Sequence, residues 1–533
     1  MAYIPYLISD FRTGWDIGKE PWLLPADAFQ TLQNARVEKG VLEKRLGIGT
    51  ALAQMKHDST PATEPITGAH RYYYNGISYL LCADYSRLNI FDPLNSTMID
   101  ISGGSDLFSA RDRDTLHGTN WLGKAYLCNG VDAIQVFNGH DTTVTAGYSL
   151  ATFSGRIATG QVMNSAKWVF NLKDYLLFLC TIENGEYQPG RMRRTALLTE
   201  DLTGDDYDDL PFDDVPIAAV KLFDYILVRC EHSLWKYIAT GNPDNPFRWE
   251  PLWTNYGASG GCAIIANDTG GRVGVISTSK NGLLFFDGYS DRLMNLPQMR
   301  DIIAQFAATK LYHCFGGYSE HDNKFYLAYP ESGQTYPTAL LEYSFIEKNF
   351  STHSIACNGV VAYNNAMMPG WSDYDAAYSS DGETIDNIDA DGTEPVGNTD
   401  WYTVALGRDG KIYKLDSGTT DKGAAYTFTA KSKAFNPFLD KGKQVCLGSV
   451  YILVDTDANA SFTFSAFKNT STSAYKSQTV VCSGNDDKHW IHVDCAGEMG
   501  ASHTLQFYNS ASNNRPRIHA IILMMQPGGE VTF

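Results

Sequence analysis

An all-β fold is predicted for this 533-residue chain by three features: an aromatic-rich composition, a turn-and-strand unit recurring about every fifty residues, and a final stretch that alternates apolar and polar residues. Aromatic residues make up 13% of the chain, with 31 Tyr and 26 Phe, and hydrophobic residues make up 44%. That bias suits pleated, half-buried surfaces better than helices. The length exceeds one ordinary core, so several folding units or a repeat architecture are expected.

The repeat has one design: a turn residue, an apolar strand, a second turn, and a strand ending in an aromatic. YYYNGISYLLCADYSRLNIFDP is the first copy, followed by NWLGKAYLCNGVDAIQVFNG, NLKDYLLFLCTIENG, KLFDYILVRCEHSLWKYIATG, GGRVGVISTSKNGLLFFDG and HDNKFYLAYPESGQTYPTALLEYS. Aligned on the first turn, Gly76, Gly123, Asp174, Asp224, Arg272 and Asn323 are equivalent. A seventh copy, WYTVALGRDGKIYKLDSG, takes its turn from Asp409 and Gly410 after an insertion rich in Asp, Gly and Ser. This period is near those of WD40 and kelch repeats, so residues 61–420 are expected to form a β-propeller of six or seven blades, with the acidic insertion near 374–400.

One four-stranded sheet cannot bury both faces alone, so the blades need neighbours and the ring needs closure. GVLEKRLGIGTAL is expected to complete the last blade, begun by DGKIYKLDSG. Residues 1–60 thus read as an extended arm plus a propeller-closing strand. Residues 421–533 read as a β-sandwich, since SVYILVDTDANASFTFSAF alternates and HWIHVDCAG, HTLQFYNSAS and RIHAIILMMQPGG follow as strands between turn residues. The run Ile521 to Met525 is expected to be a buried core strand.

Asp and Glu exceed Lys and Arg by 60 to 42, a formal net charge of −18, so no basic footprint supports tight binding to nucleic acid or anionic membrane. DNA handled loosely is compatible with that charge, because an acidic lining avoids the phosphate contacts that would hold it. The opening has no basic stretch before an apolar run, and no apolar run reaches the roughly 18 residues of a membrane span. A soluble protein without a signal peptide is expected. The ten Cys show no paired spacing typical of zinc sites and read as free thiols in a reducing cytoplasm. Among them Cys82, Cys128, Cys180 and Cys230 recur five or six residues after the turn, and a small apolar residue packed alike in each blade is preferred to a ring of thiolates.

Several motifs carry chemistry elsewhere but sit in the wrong context here. Gly257, Ala258, Ser259, Gly260 and Gly261 match a nucleophile elbow, yet a β-like run follows where a helix is required, so a Gly-rich turn is expected. Asn387, Asp389, Asp391 and Gly392 mimic a calcium loop whose closing Glu is replaced by Asn398. His489 and His492, three apart in a strand, point to opposite faces. Asp205, Asp206, Asp208, Asp209, Asp213 and Asp214 form a candidate acidic face, lining a channel or a solvated loop. No P-loop, dinucleotide fingerprint or His-Glu-x-x-His helix is present, so no catalytic residue, cofactor or metal is expected and the chain is read as not an enzyme.

The segment before the repeats has too many turns for a helix and too many aromatics for a linker. Trp15, Trp22 and Phe29 need something to pack against, either a neighbouring subunit or the chain's own propeller. Asp27, Ala28 and Phe29, then Asn34, Gly40 to Leu42, Lys44, Arg45 and Gly47 resemble the opening signature of structural tail and head-to-tail proteins of tailed bacteriophages. A propeller ending in DGKIYKLDSG and a sandwich finishing near PGGE is similar to the tail nozzle, or tail hub, of short-tailed phages, including packaged-DNA stabilisation proteins.

The resemblance implies a virion protein, assembled in the host cytoplasm, that forms a hexameric ring below the portal and adaptor. Such a ring retains packaged double-stranded DNA without reading its sequence, conducts it during ejection, and contacts tail fibres or a needle. Trp15, Trp22, Phe29, Asn34 and Arg45 are then the candidate contacts with a neighbouring subunit or the adaptor. The alternative is a glycan-binding or glycan-cleaving propeller of a tail or cell surface, with its pocket on the propeller axis or in the acidic insertion. Ser379, Asp381, Gly382 and Thr384 resemble a sialidase Asp-box, but lack one spacer residue and never recur.

Overall fold

The structure is a computed structural model and describes residues 2–74, 77–92, 95–140, 148–211, 213–254, 256–260, 263–267, 273–294, 305–364, 401–455, 460–482, 488–512 and 515–530. Among the described residues there is no α-helix; 3-10 turns at Ala308–His313 and Leu439–Lys441 punctuate a chain otherwise built of strands. The all-β reading therefore holds.

The repeated turn is what makes the repeated sheet. Lys173 and Asp174 both take positive φ, 48° and 67°, and reverse the chain in two residues between Gln161–Leu172 and Tyr175–Glu183. Leu122 and Gly123 do the same, at 47° and 74°, between His117–Trp121 and Lys124–Cys128. Such left-handed pairs match the twist of a hairpin, which is why Gly, Asp and Asn recur there. The strand after the turn is buried on both faces: all of Tyr225–Cys230 is buried, as is nearly all of Tyr175–Glu183.

Among the described residues seven sheets follow in chain order, the sixth as part of a larger sheet, and the chain divides into two compact units. One unit spans Leu52–Leu252 and Val361–Tyr413. Its first sheet runs Gly68–Tyr74, Ile77–Ala83, Leu88–Asp92 and Thr97–Asp100, and the second runs His117–Trp121 through Tyr148–Thr152. The third is Gln161–Leu172 through Leu202–Asp209 with Arg156–Ala158 on its edge, and the fourth is Pro216–Leu222 through Asn245–Leu252. The seventh sheet, Cys357–Asn364, Trp401–Gly407 and Lys411–Lys414, is completed by Ala51–Gln54 from the start of the chain. The closing strand expected from GVLEKRLGIGTAL is thus its last two residues, Ala51 and Leu52, and the two that follow, Ala53 and Gln54.

Consecutive sheets of this unit pack face to face. Ala53, Leu406 and Ile412 share a core with Leu80 and Phe91, while Trp168 and Leu179 share one with Ile226 and Tyr237. The four recurring cysteines lie in these cores, each at most 1% exposed, as expected of small packed residues. Burial pushes all four thiols up, Cys180 and Cys230 to about 12.

The other unit comprises Met1–Ala51, Trp253–Val360 and Lys414–Phe533. It holds the fifth sheet, Ala263–Asn267 through Asp291–Leu293, and the sixth, Phe315–Ser319 through Asn349–His353. One layer of the C-terminal region orders Phe428–Phe435, His503–Asn509, Ser461–Lys468 and Lys476–Val481. The other centres on Lys443–Asp455, flanked by His489–Gly500 and Arg517–Glu530. Val450, Ile452 and Leu523 share a core with Phe462, Phe464 and Phe507, so the two layers bury one interior. Ile521, Leu523 and Met525 are at most 2% exposed, as a core strand requires.

The N-terminal segment is not a free arm. Ala28–Gln33 pairs antiparallel with Phe428–Phe435 and, through Gln33 and Thr352, parallel with Asn349–His353. It thereby fuses the sixth sheet and one C-terminal layer into a ten-stranded sheet. Ile4–Ile8 and Val41–Lys44 both pair with Arg517–Glu530, extending the other layer. Backbone pairing thus gathers strands from residues 1–60, 61–420 and 421–533.

Candidate functional site

Residues of the segment from Asp27 to Gly47 converge on one buried polar junction. Asp27 accepts the Thr13 N–H at 3.0 Å, and Phe29 packs on Phe11 at a ring separation of 5.6 Å. Asn34, at φ 52°, uses both ends of its side chain: the amide donates to the Thr427 carbonyl at 2.7 Å, and the oxygen accepts the Ser354 N–H at 2.9 Å and Arg45 Nε at 3.1 Å. Arg45 forks onto Asp421 and lies 4.2 Å over the Tyr426 ring. Lys44 donates to Asn509 at 3.0 Å and to the Ala511 carbonyl at 2.7 Å; burial, then the neighbouring Arg45 charge, pull its ammonium down to about 8. Gly47 has no room for a side chain, because a Cβ there would lie 2.1 Å from the Thr420 carbonyl oxygen.

Beside this junction a recess of about 210 Å³, measured out to open solvent, is lined by Arg36, Arg45, Tyr326, Glu342, His353 and Asp416 among others. Arg36 forks onto Asp416; Glu342 meets Lys324 at 3.0 Å and His353 Nε2 at 2.9 Å. Burial opposes charge on both carboxylates, but Lys324 and Arg36 outweigh it and hold Glu342 and Asp416 below the usual range. Burial lowers His353, so its ring is neutral and donates from Nε2. Among the described residues Arg36 Nε, Tyr326 OH and His353 Nδ1 each lack a protein hydrogen-bond partner. That leaves two donors and one acceptor, a set suited to a water or another small polar group. With both carboxyls ionised, the cluster offers no protonated acid to set against a base, which glycoside hydrolysis by paired carboxylates needs.

Of the five residues expected as contacts with a neighbouring subunit, or as packing on their own chain, the structure packs four on their own chain. Trp15, Phe29, Asn34 and Arg45 are at most 3% exposed within their own chain, where they join strands far apart in sequence; only Trp22, 52% exposed, is open to a neighbour. The acidic stretch also differs from an unpaired face. Leu202–Asp209 is a strand, and its register sets Asp209 opposite Arg191 and Tyr207 opposite Arg193. Arg191 forks onto Asp209 at 2.8 and 2.9 Å, and Arg194 meets Asp208 at 2.9 Å and Asp206 at 3.3 Å. Asp214 is buried and accepts the His232 N–H at 3.0 Å and the Ser233 hydroxyl at 2.7 Å. Asp205 and Asp213 stay exposed.

The Gly257 to Gly260 stretch is followed by the strand Ala263–Asn267, which excludes a nucleophile elbow there; Gly261 lies outside the described residues. So do the calcium-loop-like Asn387, Asp389, Asp391, Gly392 and Asn398, the Asp-box-like Ser379, Asp381, Gly382 and Thr384, and the insertion at 374–400. His489 and His492 sit in one strand, His489 partly buried and His492 exposed. Sequence reading missed Glu342, His353 and Asp416, which no local pattern joins to Arg36 more than 300 positions earlier.

No protein-family model matches the chain, and no curated protein matches its sequence. Among solved structures it is similar to PorZ, a surface component of the type-IX secretion system of Porphyromonas gingivalis, at 9% identity and a TM-score of 0.35, over 70% of this chain. This chain spans 42% of the length of PorZ. It is also similar to an exo-β-1,3-galactanase from Phanerochaete chrysosporium (10% identity, TM-score 0.26, 90% of this chain and 100% of that one). A third is a glycoside hydrolase family 43 arabinoxylan arabinofuranohydrolase from Bacillus subtilis (12% identity, TM-score 0.25, 90% and 99%). None of the three is a phage protein. Two are enzymes, and that corrects the expectation of a chain without catalysis: the lack of a familiar motif does not license it. At these scores the likenesses assign no reaction either.

Proposed function

We propose that the chain is a structural subunit of a short-tailed phage tail, a nozzle or hub that forms the distal channel, retains packaged DNA and conducts it during ejection. The supporting observation is the buried junction: the signature residues from Asp27 to Gly47 are the ones that knit the N-terminal strand to the sixth sheet and the C-terminal layers. A signature with that job marks an architecture and not a chemistry, and an architecture is what the resemblance rests on. In this reading the seven sheets close into a propeller, six copies form the ring, and the adaptor and a fibre or needle are its partners. The net charge of −18 suits a wall along which DNA slides.

A second reading, glycan binding or cleavage, draws on Trp253 and Tyr289, which are 99% and 95% exposed. They stand on neighbouring loops joined by the Thr254 hydroxyl donating to Asp291 at 2.6 Å. Exposed aromatic faces of this kind serve as recognition platforms. Native mass measurement of the purified chain, alone and with a portal and adaptor, separates the two. A ring capping the adaptor supports the nozzle; a stable monomer that ignores the adaptor and retains or cleaves a defined glycan overturns it.

A further inference from the structure

We infer that His57, Glu64 and Asp84 form a binding site for a first-row divalent cation of the zinc type. The three come from separate pieces of chain: the Lys56–His57 strand, the segment leading into Gly68–Tyr74, and the turn after Ile77–Ala83. One ligand atom from each lies within 4.8 Å of the other two. His57 Nε2 stands 2.9 Å from Asp84 Oδ2, and the Ser86 hydroxyl lies 3.5 Å from that nitrogen and 3.4 Å from Glu64 Oε2. Ligands about 2.0–2.1 Å from one zinc ion lie about 2.9–3.4 Å from each other, so His57 and Asp84 already stand at that spacing and the Glu64 carboxylate, within 4.8 Å, closes on the ion by a side-chain adjustment.

The site is held in place by its surroundings. The Asp84 side chain is fully buried, and its Oδ1 accepts the Ser86 and Arg87 N–H groups at 2.9 and 2.7 Å, leaving Oδ2 turned to His57. Arg87, three residues after Asp84, is matched by Asp100, Asp106 and Asp58 at 3.5, 3.0 and 3.9 Å, and Lys56 Nζ is turned to the Thr97 hydroxyl at 2.7 Å, so neither cation is committed to Asp84 or Glu64. His57 and Glu64 are partly exposed, which gives an ion its entry path and room for water ligands. One imidazole and two carboxylates suit zinc better than calcium, which takes six to eight oxygens.

The alternative chemistry of a Ser-His-Asp triad fails on geometry. Ser86 and Asp84 both meet Nε2, whereas a triad places them on opposite ring nitrogens. A cation here would clasp the hairpin that follows the closing strand Ala51–Gln54 to the turn of the first sheet.

The full chain, stripped with EDTA and returned to metal-free buffer, tests this by zinc titration with elemental analysis and thermal unfolding. One zinc per chain and a raised melting temperature are expected. His57→Gln and Glu64→Gln are each expected to weaken binding at least about tenfold while melting normally without metal. His492→Gln, at an exposed histidine elsewhere, is expected to change nothing. Cobalt(II) in the unaltered chain gives a readout independent of the variants, visible d–d bands from a nitrogen-oxygen site. No stoichiometric zinc, no cobalt bands, or equal binding after His57→Gln would each overturn the site and leave a plain His-Asp ion pair.

Discussion

Replacing Asn34 with alanine puts the buried junction to its sharpest test. The substitution deletes three good hydrogen bonds, from Arg45 Nε at 3.1 Å, from the Ser354 N–H at 2.9 Å, and to the Thr427 carbonyl at 2.7 Å. At about 1 kcal/mol each, that is a loss of about 3 kcal/mol, because the abandoned groups stay away from water. Position 34 also has φ 52°, and alanine in that left-handed region costs about 1 kcal/mol more. Asn34→Ala is therefore expected to lose about 4 kcal/mol and Asn34→Gly, which tolerates the backbone, about 3 kcal/mol. Equilibrium urea unfolding measures both, and hydrogen exchange of peptides covering Ala28–Glu38 confines the loss to this unit. A loss under about 1 kcal/mol in both variants, or an alanine no worse than glycine, would refute the role given to Asn34.

Trp15→Ala is expected to cost about 3–5 kcal/mol and Trp22→Ala less than about 0.5 kcal/mol, since one side chain is buried and the other exposed; equal losses by urea unfolding would contradict the packing. Gly47→Ala is expected to destabilise by about 2 kcal/mol or more in the same assay, because its Cβ would meet the Thr420 backbone. His117 accepts the Val169 N–H on Nδ1 at 3.3 Å, and burial pushes it down to about 3. Its folded value lies below its unfolded value of about 6.5, so its stabilising contribution is full above that pH and is lost as pH falls toward 3. The melting temperature of His117→Gln should fall less steeply over that range than that of the unaltered chain, and parallel profiles would exclude the assignment. Iodoacetamide should leave Cys82, Cys128, Cys180 and Cys230 unmodified in the native chain and label them in urea, as peptide mass spectrometry would show.

What the sequence made legible was local. The turn residues Gly123 and Asp174 announced the repeated hairpin because a left-handed turn restricts residue choice, and the recurring cysteines announced a repeated packing position. The closing strand was legible because an incomplete last sheet needs a partner. The partners of the N-terminal segment were not, since Asn34 meets Ser354 and Thr427, and Arg36 meets Asp416, across more than 300 residues. Trp15 and Phe29 declared a need for burial without declaring against what. The aspartates from 205 to 209 misled for a related reason: RMRR at 191–194 lies one strand away and could have signalled cross-strand pairing. The set His57, Glu64 and Asp84 carries no spacing motif, because its members come from three different segments.

In the function proposed above, the Asp27 to Gly47 segment builds the subunit from within and such subunits form a tail channel. A cryo-electron microscopy map of the tail assembled from this chain, its adaptor and portal tests it most directly. Six copies around a distal channel, with Ala28–Gln33 paired inside its own subunit, are expected. A chain absent from the channel, or a segment paired into the neighbouring subunit, would contradict it.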